Sequence, residues 1–224
     1  MRTCDIGGWT DTWFGGPGRV LNVAVSPGIE VVVRPAEGTA STAPDDRLVR
    51  AALERYPPPR AVEVGIQSGV PAGSALGTSA AVAVALLAAL LELRGQRTEV
   101  HEVAAAAHLL ETEVIGEESG VQDQLGAAYG GISYIRVDDY PNATVETLPR
   151  WEELGELMTV VYLGHPHVSS EVHREVIRSG DREVFGLLRE AVAAGRSRCC
   201  IHQRSCETRS SSGWAGMDDG RCCR

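Results

Sequence analysis

The sequence predicts a mixed α+β fold, and three adjoining stretches carry that prediction. Residues 61–68 (Ala-Val-Glu-Val-Gly-Ile-Gln-Ser) put Val62, Val64 and Ile66 on one face and Glu63 and Gln67 on the other, the period of a half-buried strand. Residues 78–94 are rich in Ala and Leu on nearly every face, which predicts a buried helix. Val70–Ala81 joins the two as a glycine-containing loop. A strand, a Gly loop and a helix in that order turn free backbone N–H groups and the helix dipole toward an anion. Gly73 and Gly77 permit close backbone approach, and Thr78 and Ser79 put hydroxyls in the first helical turn, where they can cap it or ligate a metal. A plain strand-to-helix turn would use the same residue types. A Walker-type loop is excluded, because the chain has no lysine and all 21 of its basic residues are arginine.

The other elements follow in order. Residues 2–14 are polar and Gly-containing, and Trp9, Trp13 and Phe14 stand close together there. Two readings apply: a surface loop whose aromatics fold onto the core, or a sugar or polyol site with Asp11 as acceptor beside Gly7 and Gly8. Residues 19–25 and 29–34 predict two strands joined at Pro27-Gly28 as a hairpin. Residues 46–56 predict a short amphipathic helix, stopped by Pro57-Pro-Pro59. Thr98 is the expected N-cap of a helix running to about Ile115, with His108, Glu111 and Glu113 near its end. A short helix containing Asp123 lies between Gly120 and Gly130-Gly131, and strands are expected at 132–137, more weakly at 144–148, and at 157–163. Helices are expected at 170–178 and from Asp181 to Gly195, where glycine should end the last one.

Length and composition set bounds. A chain of 224 residues can hold one large or two small domains. A net charge of −9 argues against nucleic acid as a partner. No apolar run is long enough to span a membrane, and no secretory signal is read at the start, so a cytoplasmic setting is expected. Five of the six cysteines crowd the last 26 residues at spacings unlike zinc sites. His165 and His167 flank Pro166 in a loop with no acidic or Cys partner nearby in sequence, which favours a plain loop over a metal site.

Three separated segments could converge on chemistry: the Asp11 loop, residues 70–81, and the Glu111/Asp123 pair. Phosphoryl transfer needs N–H groups around phosphates, a divalent ion held by a hydroxyl and a carboxylate, and a group that orients the attacking hydroxyl. Thr78 or Ser79 with Glu111 could hold Mg²⁺, and Asp123 could be the base. Carboxylates at a helix end are also commonly just solvated. Glu111 and Glu113 are two apart and cannot share a helix face.

Pro71-Ala-Gly-Ser-Ala-Leu-Gly-Thr-Ser-Ala-Ala81 resembles the P-x-x-x-G-L-G-S-S-A-A phosphate loop of the GHMP kinases, with Ala75 and Thr78 as departures. Gly120-Val-Gln-Asp-Gln124 followed by Tyr129-Gly-Gly131 is similar to the segment that carries the catalytic Asp in its sugar kinases. Arg2 through Asp11 is similar to the R-x-x-x-x-G-x-x-x-D substrate motif. Gly7-Gly8-x-Thr10-Asp11 and Leu21-Asn-Val-Ala24 look most like the heptose-7-phosphate kinase and fucokinase-like branch. The resemblance implies ATP and Mg²⁺ as cofactors and a sugar or sugar phosphate as substrate. Asp123 would then be the catalytic carboxylate, with Arg2 near the transferred phosphoryl group. Pro71, Gly73, Ser74, Ala75, Leu76, Gly77, Thr78 and Ser79 would wrap the ATP phosphates, Ser79 and Glu111 would hold the metal, and Asp11, Gly7 and Gly8 would bind the sugar.

The same resemblance implies a two-domain fold. Residues 1–150 would be the N-terminal ATP- and sugar-binding domain, of the ribosomal-protein-S5-domain-2-like kind. Residues 151–195 would begin a ferredoxin-like C-terminal domain that is cut short, leaving an unpaired sheet edge. The family's second Gly-rich motif does not occur in the chain. Residues 196–224 carry six Arg, five Cys and five Ser with no periodicity, and read either as a shifted reading frame or as a basic interaction tail. A catalytically impaired nucleotide- or sugar-binding remnant is the alternative function, and a homodimer is one reading of assembly.

Overall fold

A computed structural model describes residues 1–38, 41, 46–151, 153–159, 161–162, 164, 174–178 and 181–211; of Arg2, Cys4, Asp5 and residues 200–211 it describes the backbone alone. Strands β1 (Arg2–Ile6), β2 (Gly18–Ala24), β5 (Ile132–Asp139) and β6 (Asn142–Leu148) form an antiparallel sheet in the order β1-β2-β5-β6. Strands β3 (Ile29–Pro35) and β4 (Val62–Ser68) pair antiparallel as a separate two-stranded ribbon. The expected hairpin of residues 19–25 with 29–34 does not form. Both edges of β2 are already taken, by β1 (Thr3↔Val23) and by β5 (Leu21↔Tyr134), so the chain leaves one sheet at Pro27-Gly28 and enters the other.

Helix α1 (Arg47–Arg55) is capped by Asp46, whose Oδ1 accepts from Leu48 N and Val49 N at 2.8 and 3.2 Å. It packs with α2 (Thr78–Leu93), α3 (Val100–Leu109) and β4 into the main core, where Leu86, Leu87 and Leu90 are wholly buried. Helix α2 is buried along most of its length, as its all-round apolar sequence predicts. It starts at Thr78, as expected, whereas the start of α3 differs from expectation. Gly77, in the left-handed region at φ 63°, is the N-cap of α2. Glu99 precedes α3 in place of Thr98, its N–H donating to Glu102 Oε2 at 3.1 Å, while the Thr98 hydroxyl turns back to Gln96 O.

The α3 helix continues as a π-helical turn, Leu110–Ile115, and α4 (Gln122–Tyr129) follows. The four-stranded sheet buries both faces, because successive side chains on a strand alternate. Val20, Ile135 and Val137 pack with Val121 and Leu125 on the α4 side. Leu21, Ile132 and Leu148 face the other way, onto Val192 of α7 (Arg182–Ser211). Between β6 and α7 in the chain come the short α5 (Leu154–Leu157) and a helical segment α6 at 174–178.

Two expectations about the C-terminal part are corrected. Leu157 ends a helical turn, and residues 158, 159, 161 and 162 are not in a strand, so none forms at 157–163 among the described residues. Asp181 does lead into α7, its Oδ1 accepting from Glu183 N and Val184 N, but the helix runs through Gly195 to Ser211. A Cβ at Gly195 would sit 3.0 Å from Ile6 Cδ1 and 3.2 Å from Leu21 Cδ2, so glycine there admits close approach to the sheet. The expected boundary at 195/196 therefore falls inside a continuous helix. His165, His167, Cys222 and Cys223 lie outside the described residues.

Candidate active site at the start of helix α2

The 70–77 loop leaves β4 and delivers the chain to α2 through positive-φ backbone at Gly73 (73°), Ala75 (60°) and Gly77 (63°). Because its N-cap is glycine, no side chain caps α2, and the helix dipole's positive end is left for another acceptor. Ala81 N–H closes the first turn onto Gly77 O at 3.0 Å. The hydroxyl of Ser74 in this loop is buried and has no hydrogen-bond partner in the protein.

Ser79 in the first turn donates from Oγ to Glu111 Oε1 at 2.7 Å. The π-helical turn sets Glu111 inward, 3% exposed, while Glu113 of the same turn is exposed. Gln124 of α4 donates from Nε2 to Glu111 Oε2. Burial pushes the Glu111 pKa up to about 7; the Ser79 and Gln124 hydrogen bonds oppose the shift, and the charges of Asp123 and Glu117 add to it. Asp123 stands half-buried in the first turn of α4. Ser79, Glu111, Gln124 and Asp123 thus form one group drawn from three elements.

The Asp11 loop meets α4 at its first residue, Gln122. Asp11 is wholly buried; its Oδ2 accepts from Gln122 N at 2.9 Å and its Oδ1 from Gln122 Nε2 at 3.3 Å. Gly120 lets the two segments touch, since a Cβ there would lie 2.1 Å from Asp11 Oδ2. Asn22 of β2 donates from Nδ2 to Gln122 O at 3.3 Å. Tyr140, at the β5–β6 turn, donates to Ser119 O at 3.2 Å and lies 2.8 Å from His108 Nε2. Burial, and then the charge of Asp11, raise the Tyr140 pKa to about 12. Burial also holds His108 neutral, with its pKa lowered to about 4. Trp13 stands half-exposed at the rim, edge-on to Phe14 (5.1 Å between centroids) and tilted against Tyr140 (6.1 Å).

The structure therefore gathers Asp11, Ser79, Glu111 and Asp123, with the 70–77 loop leading into Ser79. Gly7 and Gly8 lie in the turn before Asp11, where Thr10 N–H and Thr10 Oγ1 bond to Gly7 O at 3.2 and 2.8 Å. The backbone of Arg2 pairs with Ala24, and its side chain lies outside what is described. Asn22, His108, Gln122, Gln124 and Tyr140 were not read as site residues from the sequence. Two amides flanking Asp123 at the start of an eight-residue helix were the signal for Gln122 and Gln124.

Ser79 and Glu111 offer a hydroxyl and one carboxylate, a donor set that suits Mg²⁺, which keeps water and phosphate oxygens as its remaining ligands. No group of three or more His, Cys, Asp or Glu side chains converges as a metal cage among the described residues. A crevice lined by Pro35, Pro59, Arg60, Val62 and Leu93 lies at the far end of α2 and takes no part in this site.

Residues 46–131 match the family model described as GHMP kinases N terminal domain, so the resemblance read from the sequence is borne out over that segment. Among solved structures, the chain is similar to a D-glycero-D-manno-heptose 1-phosphate kinase from Bacteriodes thetaiotaomicron, with 22% identity and a TM-score of 0.59 over 66% of this chain and 58% of that one. It is similar to a putative sugar kinase from Campylobacter jejuni, with 24% identity and a TM-score of 0.56 over 66% and 54%. It is also similar to the Streptococcus pneumoniae phosphomevalonate kinase, with 13% identity and a TM-score of 0.63 over 88% and 71%. At these identities the likeness shows the fold, an α+β one. The chain spans somewhat over half the length of the first two. No curated protein matches it.

Proposed function

We propose that this chain carries the nucleotide- and sugar-handling part of an ATP-dependent sugar kinase of the GHMP type, acting on a sugar or sugar phosphate of the heptose- or fucose-like kind. The observation that carries the reading is the Ser79–Glu111 contact at the start of α2, which bears no side-chain cap. Such a helix start favours polyanions. The backbone of Gly73–Gly77, with the Ser74 hydroxyl, would hold the ATP phosphates through N–H and O–H donors. Ser79 and Glu111 would hold Mg²⁺, which when bound neutralises charge on the phosphate oxygens. Asp123 would accept the proton of the substrate hydroxyl as its oxygen attacks the terminal phosphorus and ADP leaves. The turn at residues 7–10 would bound the sugar end, and Arg2 would stand near the transferred group.

Residues 1–150 serve in this reading as the ATP- and sugar-binding domain. The segment 151–195 opens a second domain, and α7 returns from it to the first. Among the described residues no helix is long and apolar enough to cross a membrane. A cytoplasmic, homodimeric enzyme is part of the same proposal.

The test is ATP-dependent phosphorylation by the full chain over a panel of monosaccharides and heptose phosphates. Turnover that is abolished by Asp123→Ala supports the reading, and full turnover by that variant removes Asp123 from its role. The second reading is a catalytically impaired nucleotide- or sugar-binding remnant. ATP binding without turnover of any panel member would decide for it.

A further inference from the structure

Asp11 is placed as an anchor for α4. Its carboxylate is wholly buried, and both oxygens already accept from one residue, Gln122. The first of those donors is the N–H that opens α4, a helix whose own N-cap, Val121, offers no side-chain acceptor. Asp11 therefore does from a distant segment what an N-cap side chain does locally, adding a negative charge at the positive end of the helix.

Both partners are held. The Thr10 hydroxyl accepts from Arg19 N at 3.0 Å and has Gly7 O and Arg19 O as acceptors at 2.8 and 2.9 Å, and Thr12 Oγ1 donates to Trp9 O at 2.6 Å, so the residues on either side of Asp11 are fixed. Gln122 is held in turn by Asn22 through its carbonyl. Gly120 lets the carboxylate press against the backbone that leads into the helix. Asp123 is the next residue along, so whatever fixes Gln122 fixes the direction of Asp123.

We propose that Asp11 and Gln122 are a positioning pair that sets Asp123, and that the Asp11 carboxylate serves α4 instead of a substrate hydroxyl. This rests on the reading of Asp123 as the group that receives the substrate proton. Gln122 Oε1 has no partner, so an amide at position 11 could be matched by rotating the Gln122 amide. Asp11→Asn should then keep the clamp, whereas Asp11→Ala and Gln122→Leu break it.

Hydrogen exchange of the full chain, read in peptides covering 118–129 and, as control, 46–56, tests the clamp without turnover. Exchange at 118–129 should quicken roughly tenfold in Asp11→Ala and in Gln122→Leu, no further in the double variant, and not at all in Asp11→Asn or at 46–56. With the panel sugar that is phosphorylated best, the two breaking variants should lose kcat roughly tenfold while the sugar KM stays within twofold. Unchanged exchange at 118–129 in Asp11→Ala overturns the proposal. So does a tenfold rise in sugar KM with kcat retained, the mark of a sugar ligand. A panel with no phosphorylated member counts against the kinase reading and leaves the exchange result to decide the clamp.

Discussion

Lowering the pH from 7 to 4 should cost the folded protein about 3 kcal/mol through one side chain, His108. The imidazole is 4% exposed, with Nε2 on the Tyr140 hydroxyl at 2.8 Å. Tyr140 gives its own hydrogen to Ser119 O, so the network assigns the ring hydrogen to Nε2. Burial lowers the pKa from 6.5 to about 4, and a backbone contact with Gly120 opposes it. Below pH 6.5 the unfolded chain takes up a proton that the native state refuses until about pH 4. The contribution is therefore fully present above pH 6.5 and lost as the pH falls through that window. Urea unfolding of the wild type and His108→Gln at pH 7, 6, 5 and 4 isolates it, since other groups titrate alike in both. The stability difference between the two should shift by about 3 kcal/mol against the wild type between pH 7 and pH 4. Parallel curves would refute the argument that burial keeps this ring neutral.

Glu111 should behave with the opposite sign. Its folded pKa is raised from 4.5 to about 7, so its contribution is present below pH 4.5 and lost as the pH rises through 7. Urea titrations should show Glu111→Gln gaining about 3 kcal/mol on the wild type between pH 4 and pH 8. Gly120→Ala, which drives a methyl group into Asp11 Oδ2, should destabilise by about 2–3 kcal/mol and lower the melting temperature. Val192→Ala, at a wholly buried contact between α7 and the sheet, should cost about 1–3 kcal/mol in denaturant unfolding. Arg196→Ala breaks a half-exposed pair with Glu146 (2.7 Å) and a cation–π contact with Tyr134, and should cost less than about 1 kcal/mol by the same measurement.

Local pattern made much of this architecture legible. The strand at 62–68, the loop, and the helix from Thr78 follow from alternation, glycine placement and an all-round apolar run, all properties of neighbouring residues. Asp46 and Asp181 could be read as helix starts for the same reason. The failures have a common cause. Pro27-Gly28 has the chemistry of a hairpin turn, but which strands pair depends on the edges of β2 being filled by β1 and β5. Gly195 has the chemistry of a helix stop, but it lies against Ile6 and Leu21, where the absence of a side chain is a packing requirement. The site divides in the same way. Ser79, Glu111 and Asp123 stood out as a hydroxyl and carboxylates beside a Gly loop, and the π-helical turn points Glu111 inward to Ser79 while leaving Glu113 exposed. Gln122, Gln124, His108 and Tyr140 act only through partners distant in sequence, which no local pattern records.

The strand order β1-β2-β5-β6 also bears on how the protein is made. On the ribosome, β2 gains β1 as soon as both emerge, but its other partner begins only at Ile132, roughly 110 residues later. At roughly 5–20 residues per second that strand waits on the order of 5–20 s with an open hydrogen-bonding edge. The ribbon, α1, α2 and α3 can assemble meanwhile from near neighbours. The central sheet is thus the late, long-range step of folding, and a nascent chain halted before Ile132 would present β2 as a template for aggregation or chaperone capture.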